Sequence, residues 1–188
     1  MKKYNIILAS NSPRRRELLA SLDLEFEVKV LDGIDESYPD MPRQLVAQYI
    51  AGKKADAYLA TLNESELVIT ADTVVIVDND ILGKPHDKEE AKAMLRRISG
   101  RSHKVVTGVC LLTPDARREF SVSTDVTFKP LTDEEIDYYV EHYRPLDKAG
   151  AYGIQEWIGY IGVTAINGSY YNVMGLPVQR IYGELTTM

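Results

Sequence analysis

Four polar segments interrupt apolar or periodic stretches of this 188-residue chain, and each carries side chains suited to a phosphorylated ligand. The first is Ser10-Asn11-Ser12-Pro13-Arg14-Arg15. Two hydroxyls and two guanidiniums there meet the start of a predicted helix, whose unpaired N–H groups and positive dipole end favour phosphate oxygens. Arginines at that end of a helix are unfavourable unless an anion offsets them. The second, Ala71-Asp72-Thr73, sets a carboxylate inside the β-rich run Leu67 to Val77. A carboxylate in a strand interior is costly unless it is hydrogen-bonded, binds a metal or does acid/base work. The third, Gly83-Lys84-Pro85, holds an ammonium between a glycine and a proline. The fourth, Asp147-Lys148-Ala149-Gly150-Ala151-Tyr152-Gly153-Ile154-Gln155, pairs glycines that allow close backbone approach with a glutamine amide able both to donate and to accept. Each has a plainer structural reading: a capped helix, a strand end, a surface turn and an ordinary loop.

The elements that must position these segments are legible from periodicity. Tyr4 to Ala9 reads as a strand that stops at a polar turn, with Ser12 as N-cap and Pro13 as the first residue of a helix through Leu18 and Leu19. Phe26 to Leu31 alternates as a strand, Pro42 to Leu62 has helical spacing, and Asp78-Asn79-Asp80 after Val77 predicts a hairpin turn. Asp87 and Glu90 predict a capping box for a helix through Met94, Leu95 and Ile98 that ends at Gly100; Thr132 and Glu135 predict a second, before Ile136, Tyr139 and Val140. Strands are expected at Ser102 to Leu112, Glu119 to Pro130 and Tyr160 to Ile166, then a turn at Asn167-Gly168 and a last helix from Pro177. Strands and helices interleave without a linker or repeat, which predicts one α/β domain over 1–188.

Composition removes several classes of function. With 22 Lys and Arg against 28 Asp and Glu, the net charge is -6, which argues against a broad face for nucleic-acid polymers or membranes. No apolar run approaches the roughly 20 residues of a membrane span, and Met1-Lys2-Lys3 is followed by too short an apolar stretch for a signal peptide. The single cysteine, Cys110, lies in an apolar run and reads as a buried thiol in a reducing compartment, so a cytoplasmic setting is expected. There is no Walker loop and no G-x-G-x-x-G, and His86, His103 and His142 lack metal-ligand spacing. Tyr138, Tyr139 and Tyr143 read as packing.

The order of the segments resembles the Maf family. The similarity rests on Ser10-x-Ser12-Pro13-Arg14-Arg15-x-Glu17-Leu18-Leu19, Ala71-Asp72-Thr73-Val74-Val75, Gly83-Lys84-Pro85 and Ser99-Gly100-Arg101-x-His103. It continues through the loop ending at Gln155 and through Asn167-Gly168-Ser169-Tyr170-Tyr171. The resemblance implies a Maf/inosine-triphosphatase-like fold, an elongated curved mixed sheet flanked by helices with a cleft between two lobes. It implies hydrolysis of a nucleoside triphosphate to the monophosphate and pyrophosphate. By motif position, Asp72 would be the general base; Ser10, Ser12, Arg14, Arg15, Lys54 and Lys84 would hold the phosphates; Glu36 and Asp72 would orient a divalent Mg2+ or Mn2+. Asp35 and Lys53 stand beside Glu36 and Lys54 as alternatives. Arg14, Thr73 and Gln155 match the dTTP/UTP-specific members, in which Gln155 would meet O4 and N3–H of thymine or uracil. The chain departs from the usual family pattern at Arg144 and at Glu156-Trp157. A homodimer is implied, and alternatives are a pyrophosphatase for 7-methyl-GTP or modified nucleotides and a nucleotide-sensing or partner-binding regulator of septum formation.

Overall fold

Apolar β-branched runs and capped amphipathic stretches alternate along the chain, and the computed structural model, which describes residues 4–188, turns them into strands and helices in the same alternation. In chain order these are β1 (Asn5–Leu8), α1 (Pro13–Ala20), β2 (Phe26–Val28), α2 (Arg43–Asp56), β3 (Glu66–Val77), β4 (Asp80–Leu82), α3 (Lys88–Ile98) and β5 (Ser102–Leu112). There follow β6 (Arg117–Phe128), α4 (Asp133–Tyr143), α5 (Trp157–Gly162), β7 (Val163–Asn167), α6 (Tyr170–Met174) and α7 (Val178–Leu185). The sheet runs β2-β1-β3-β5-β6-β7, with β4 paired to β3. It is mixed: β1 lies parallel to β2 and β3, whereas β4 on β3 and β7 on β6 are antiparallel. The α/β class expected from the sequence is therefore the one observed. No helix among the described residues is long and apolar enough to cross a membrane.

Two compact units share these elements. The first comprises residues up to Asp72, Thr107–Val122 and Gly175–Met188; the second comprises Thr73–Val106 and Ser123–Met174. Strands β3, β5 and β6 each contribute residues to both.

In the first unit, α2 is positioned by a backbone approach that only glycine allows. A Cβ at Gly108 would stand 2.1 Å from the Gln48 nitrogen and 2.3 Å from the Ala47 carbonyl carbon. Any side chain there would push α2 off β5. The helix buries Val46, Ala47, Ile50, Ala51 and Ala55, and the Thr70 hydroxyl on β3 donates to the Ala51 carbonyl at 2.6 Å. The last turn of α2 is thereby fixed against the middle of β3, where Lys54 and Asp72 lie. Cys110 is wholly buried, as expected, and burial pushes its thiol up to about 12, which disfavours the reactive thiolate.

In the second unit, α3 and α4 cover a core that includes Val77, Leu95, Ile98, Phe128, Ile136 and Tyr139. The helix at Thr132 has its full capping box: Thr132 Oγ1 accepts from Glu135 N–H, and the Glu135 carboxylate accepts from Thr132 N–H. The box expected at Asp87 is only half formed. Asp87 accepts from Glu90 N–H at 2.8 Å, but the Glu90 carboxylate turns back one residue further and takes the His86 N–H instead. Asp78 and Asn79 both adopt positive φ, at 50° and 66°, and close the expected two-residue hairpin onto β4.

The strand expected over Tyr160 to Ile166 begins only at Val163. Trp157–Gly162 is a helix because Ile158 and Gly162, four residues apart, face the core while Tyr160 is 82% exposed. A Cβ at Gly162 would meet the Phe128 ring at 2.8 Å, so the helix packs by its small residue. The helices at Tyr170–Met174 and the tight turn at Ala149–Ala151 had no signal in the periodicity, since both are shorter than two turns.

His103 is 3% exposed, and its Nε2 shares a 2.6 Å hydrogen bond with the Tyr152 hydroxyl beneath Phe128. Burial, opposed only by the charge of Asp125, lowers its pKa to about 4. The unfolded ring takes up a proton near pH 6.5, whereas the folded ring does so only near 4, so the unfolded state binds more protons between those values and stability falls as the pH drops through them. Urea unfolding of the wild type should show this group costing about 3 kcal/mol between pH 7 and pH 4. In His103→Gln that part of the slope should vanish; identical slopes in the two proteins would mean that burial does not hold the ring neutral.

Candidate active site

The site in the first unit grows from the polar turn after β1. Ser12 is the N-cap of α1 and accepts from Arg15 N–H at 3.4 Å, with Pro13 in the first turn, as the sequence predicts. Ser10 is buried and accepts from Ser12 N–H at 3.2 Å. The turn is thus held by its own hydroxyls, and it presents Arg14 and Arg15 in the first turn of α1. No acidic side chain occupies that turn to balance them.

Arg15 reaches back into the fold. Its Nε donates to the Gly175 carbonyl at 2.8 Å and its Nη1 to the Ala71 carbonyl at 3.0 Å, so one guanidinium ties α1 to the residue before Asp72 and to the chain entering α7. Burial lowers its pKa and neighbouring Arg14 lowers it further, while Asp72 and Glu36 oppose them. Arg14, Asp72 and Glu36 therefore all act on the Arg15 charge. The motif match marked Arg15 as a phosphate ligand; its role in aligning β3 was invisible because Gly175 and Ala71 are distant in sequence.

Opposite them stands Lys54, from the last turn of α2. Its ammonium lies 3.0 Å from Asp72 Oδ1 and 3.1 Å from Glu36 Oε1. Lys54 and Asp72 each expose only 15% of their side chains, whereas Glu36, on the loop before α2, exposes 57%. The alternatives left open by the sequence resolve into a separate, outer pair. Lys53 Nζ donates to Asp35 Oδ2 at 2.9 Å and to the Ser37 carbonyl at 2.8 Å, gripping the residues on either side of Glu36. The Ser37 hydroxyl and N–H, then Lys53, hold the Asp35 carboxyl well below the usual carboxylate range. Two adjacent lysines thus divide the work: Lys53 fastens the loop and Lys54 meets the carboxylates.

Glu36 and Asp72 converge on a single cation, and carboxylate oxygens are the hard donors that suit Mg2+ or Mn2+. Among the described residues no group of three or more His, Cys, Asp or Glu side chains could hold a metal alone. Two carboxylates with the remaining positions left to phosphate and water is the usual magnesium arrangement in nucleotide enzymes, so the residues fit such an ion.

Thr73, Lys84 and Gln155 belong to the second unit. Lys84 is exposed, and the preceding Gly83 carbonyl accepts from Gly150 N–H at 3.1 Å, which fastens the Lys84 turn to the loop that carries Gln155. Gly150 has φ +69° and abuts Val75, so that turn requires glycine twice over. The side-chain oxygen of Gln155 is buried without a hydrogen-bond partner. Lys148, which the sequence did not single out, is 9% exposed and pairs with Asp147 and with Glu156. Trp157 packs on Tyr138, with ring centroids 4.7 Å apart.

The sequence profile of a family described as Maf-like protein matches residues 5–188. A dTTP/UTP pyrophosphatase of Phocaeicola vulgatus is 59% identical over 186 residues, covering 98% of this chain and 96% of its own. Proteins of the same name from Porphyromonas gingivalis and Flavobacterium johnsoniae are 58% and 47% identical; the alignments cover 98% and 100% of this chain and 94% and 97% of theirs. Among solved structures, the Staphylococcus aureus Ham1 protein superposes with a TM-score of 0.50 over 66% of this chain and 71% of its own, at 16% identity, a likeness of fold.

Replacing Arg15 removes a charged donor from two backbone carbonyls at once. Arg15→Met should lower the unfolding free energy by about 3 kcal/mol, seen as a lower urea midpoint with an unchanged slope. A midpoint equal to that of the wild type would mean that the guanidinium does not hold β3 in place.

Proposed function

The chain belongs to the Maf family, and from that premise we propose that it hydrolyses dTTP and UTP to the monophosphate and pyrophosphate, with Asp72 as general base. The observation that carries this reading is the Lys54 ammonium set between Asp72 and Glu36, beside the cationic start of α1. Hydrolysis at the α-phosphorus needs a water placed in line, a group to take its proton and positive charge around the phosphate oxygens. Asp72, largely enclosed but with 15% of its side chain accessible, would take that proton as the water oxygen bonds phosphorus and pyrophosphate departs. The Ser10 and Ser12 hydroxyls, at the positive end of α1, are donors for phosphate oxygens, and Arg14, Arg15, Lys54 and Lys84 counter their charge. Glu36 and Asp72 would hold a divalent Mg2+ or Mn2+, which when bound supplies further neutralisation of the phosphate oxygens.

On the base side, the buried acceptor of Gln155 suits the N3–H of thymine or uracil, and its amide N–H suits O4. A glutamate at this position could only accept. Thr73 and Arg14 complete the set that matches the pyrimidine-specific members. We extend the reading to a homodimer acting in the cytoplasm.

A panel of nucleoside triphosphates with Mg2+ or Mn2+ should release pyrophosphate fastest from dTTP and UTP, and Asp72→Asn should lower that release by about 10²- to 10⁴-fold. Wild-type release from Asp72→Asn would remove the general-base role. Faster turnover of purine triphosphates would overturn the substrate assignment.

A further inference from the structure

A glutamine amide is an ambivalent reader of pyrimidines. Thymine and uracil offer a donor at N3 and an acceptor at O4, while cytosine offers an acceptor at N3 and a donor at N4; turning the amide over satisfies either edge. Preference for dTTP and UTP over dCTP therefore depends on what fixes Gln155, as much as on its being glutamine.

The second unit contains such a device. Tyr139, wholly buried on α4, accepts from Gly153 N–H at 3.0 Å and donates to Glu156 Oε1 at 2.9 Å. One hydroxyl thus holds the backbone two residues before Gln155 and the side chain one residue after it. Glu156 Oε1 is also 3.4 Å from the Lys148 ammonium, which is itself nearly buried. The packing leaves no slack: a Cβ at Gly153 would lie 2.5 Å from Glu156 Oε1 and 3.0 Å from Lys148 Cε. Within this frame the Gln155 oxygen is buried and unpartnered.

We propose that Tyr139 is a positioning residue for base choice, its hydroxyl bracing the Gly153 backbone before Gln155 and the Glu156 carboxylate after it so that the amide presents one edge only. The proposal rests on the reading of Gln155 as the residue that meets the base. Tyr139→Phe removes the hydroxyl and keeps the ring.

The test is the ratio of kcat/KM for dTTP to that for dCTP, measured in the metal-loaded enzyme. It should fall at least five-fold in Tyr139→Phe and in Glu156→Ala, chiefly through a raised KM for dTTP. Glu156→Gln, whose amide oxygen still accepts from Tyr139, should keep a ratio within two-fold of the wild type. A merely structural role would lower the melting temperature and leave the ratio unchanged. Glu156→Ala supplies the answer if Tyr139→Phe does not fold. Gln155→Glu separates the two ideas: if it shifts the ratio while Tyr139→Phe and Glu156→Ala do not, the brace is overturned and the Gln155 reading stands. If Gln155→Glu leaves the ratio unchanged, the reading of Gln155 fails and the brace with it.

Discussion

One ammonium between two carboxylates organises the first unit. Lys54 meets Asp72 from the middle of β3 and Glu36 from the loop before its own helix, and its charge offsets the repulsion between the two carboxylates. Enclosing the Lys54 and Asp72 charges is costly, and their attraction offsets that cost only while the geometry is kept. Much of the surrounding structure keeps it: the close approach of α2 at Gly108, the Thr70 hydrogen bond to Ala51, the Lys53 grip on the Glu36 loop, and the Arg15 bond to the Ala71 carbonyl.

The second unit solves a different problem. Its polar groups are arranged to hold a loop in one shape, through the Gly83 to Gly150 backbone bond, the His103 to Tyr152 pair and the Tyr139 hydroxyl. Most of its ion pairs lie outside that loop, and within it the buried Lys148 is balanced by two carboxylates.

Much of this was legible along the chain because it is local. The Ser12 cap and Pro13 lie next to the helix they start, the Thr132 capping box closes over three residues, and the Asp78-Asn79 hairpin is made by the conformations of those two residues. The failures are equally physical. Tyr160–Gly162 looked like the start of a strand that runs to Ile166, yet these residues end the helix Trp157–Gly162, in which Gly162 lies against Phe128. At Asp87 the sequence pattern of a capping box was present, but the Glu90 carboxylate found a nearer donor in His86.

By itself the sequence determined which residue types were available: a cationic helix start, one carboxylate in an apolar strand, a turn lysine and a glutamine at the end of a glycine-rich loop. Those are local properties of composition and spacing, and motif order tied them to a family. Only the tertiary structure decided that Lys54 and not Lys53 meets Asp72, that Glu36 and not Asp35 faces it, that Arg15 aligns backbone as well as carrying charge, and that Tyr139 braces Gln155. Neighbouring lysines or carboxylates are equivalent in a list of residues. They become different when one faces inward and the other faces water, and that direction is set by packing between elements far apart in the chain.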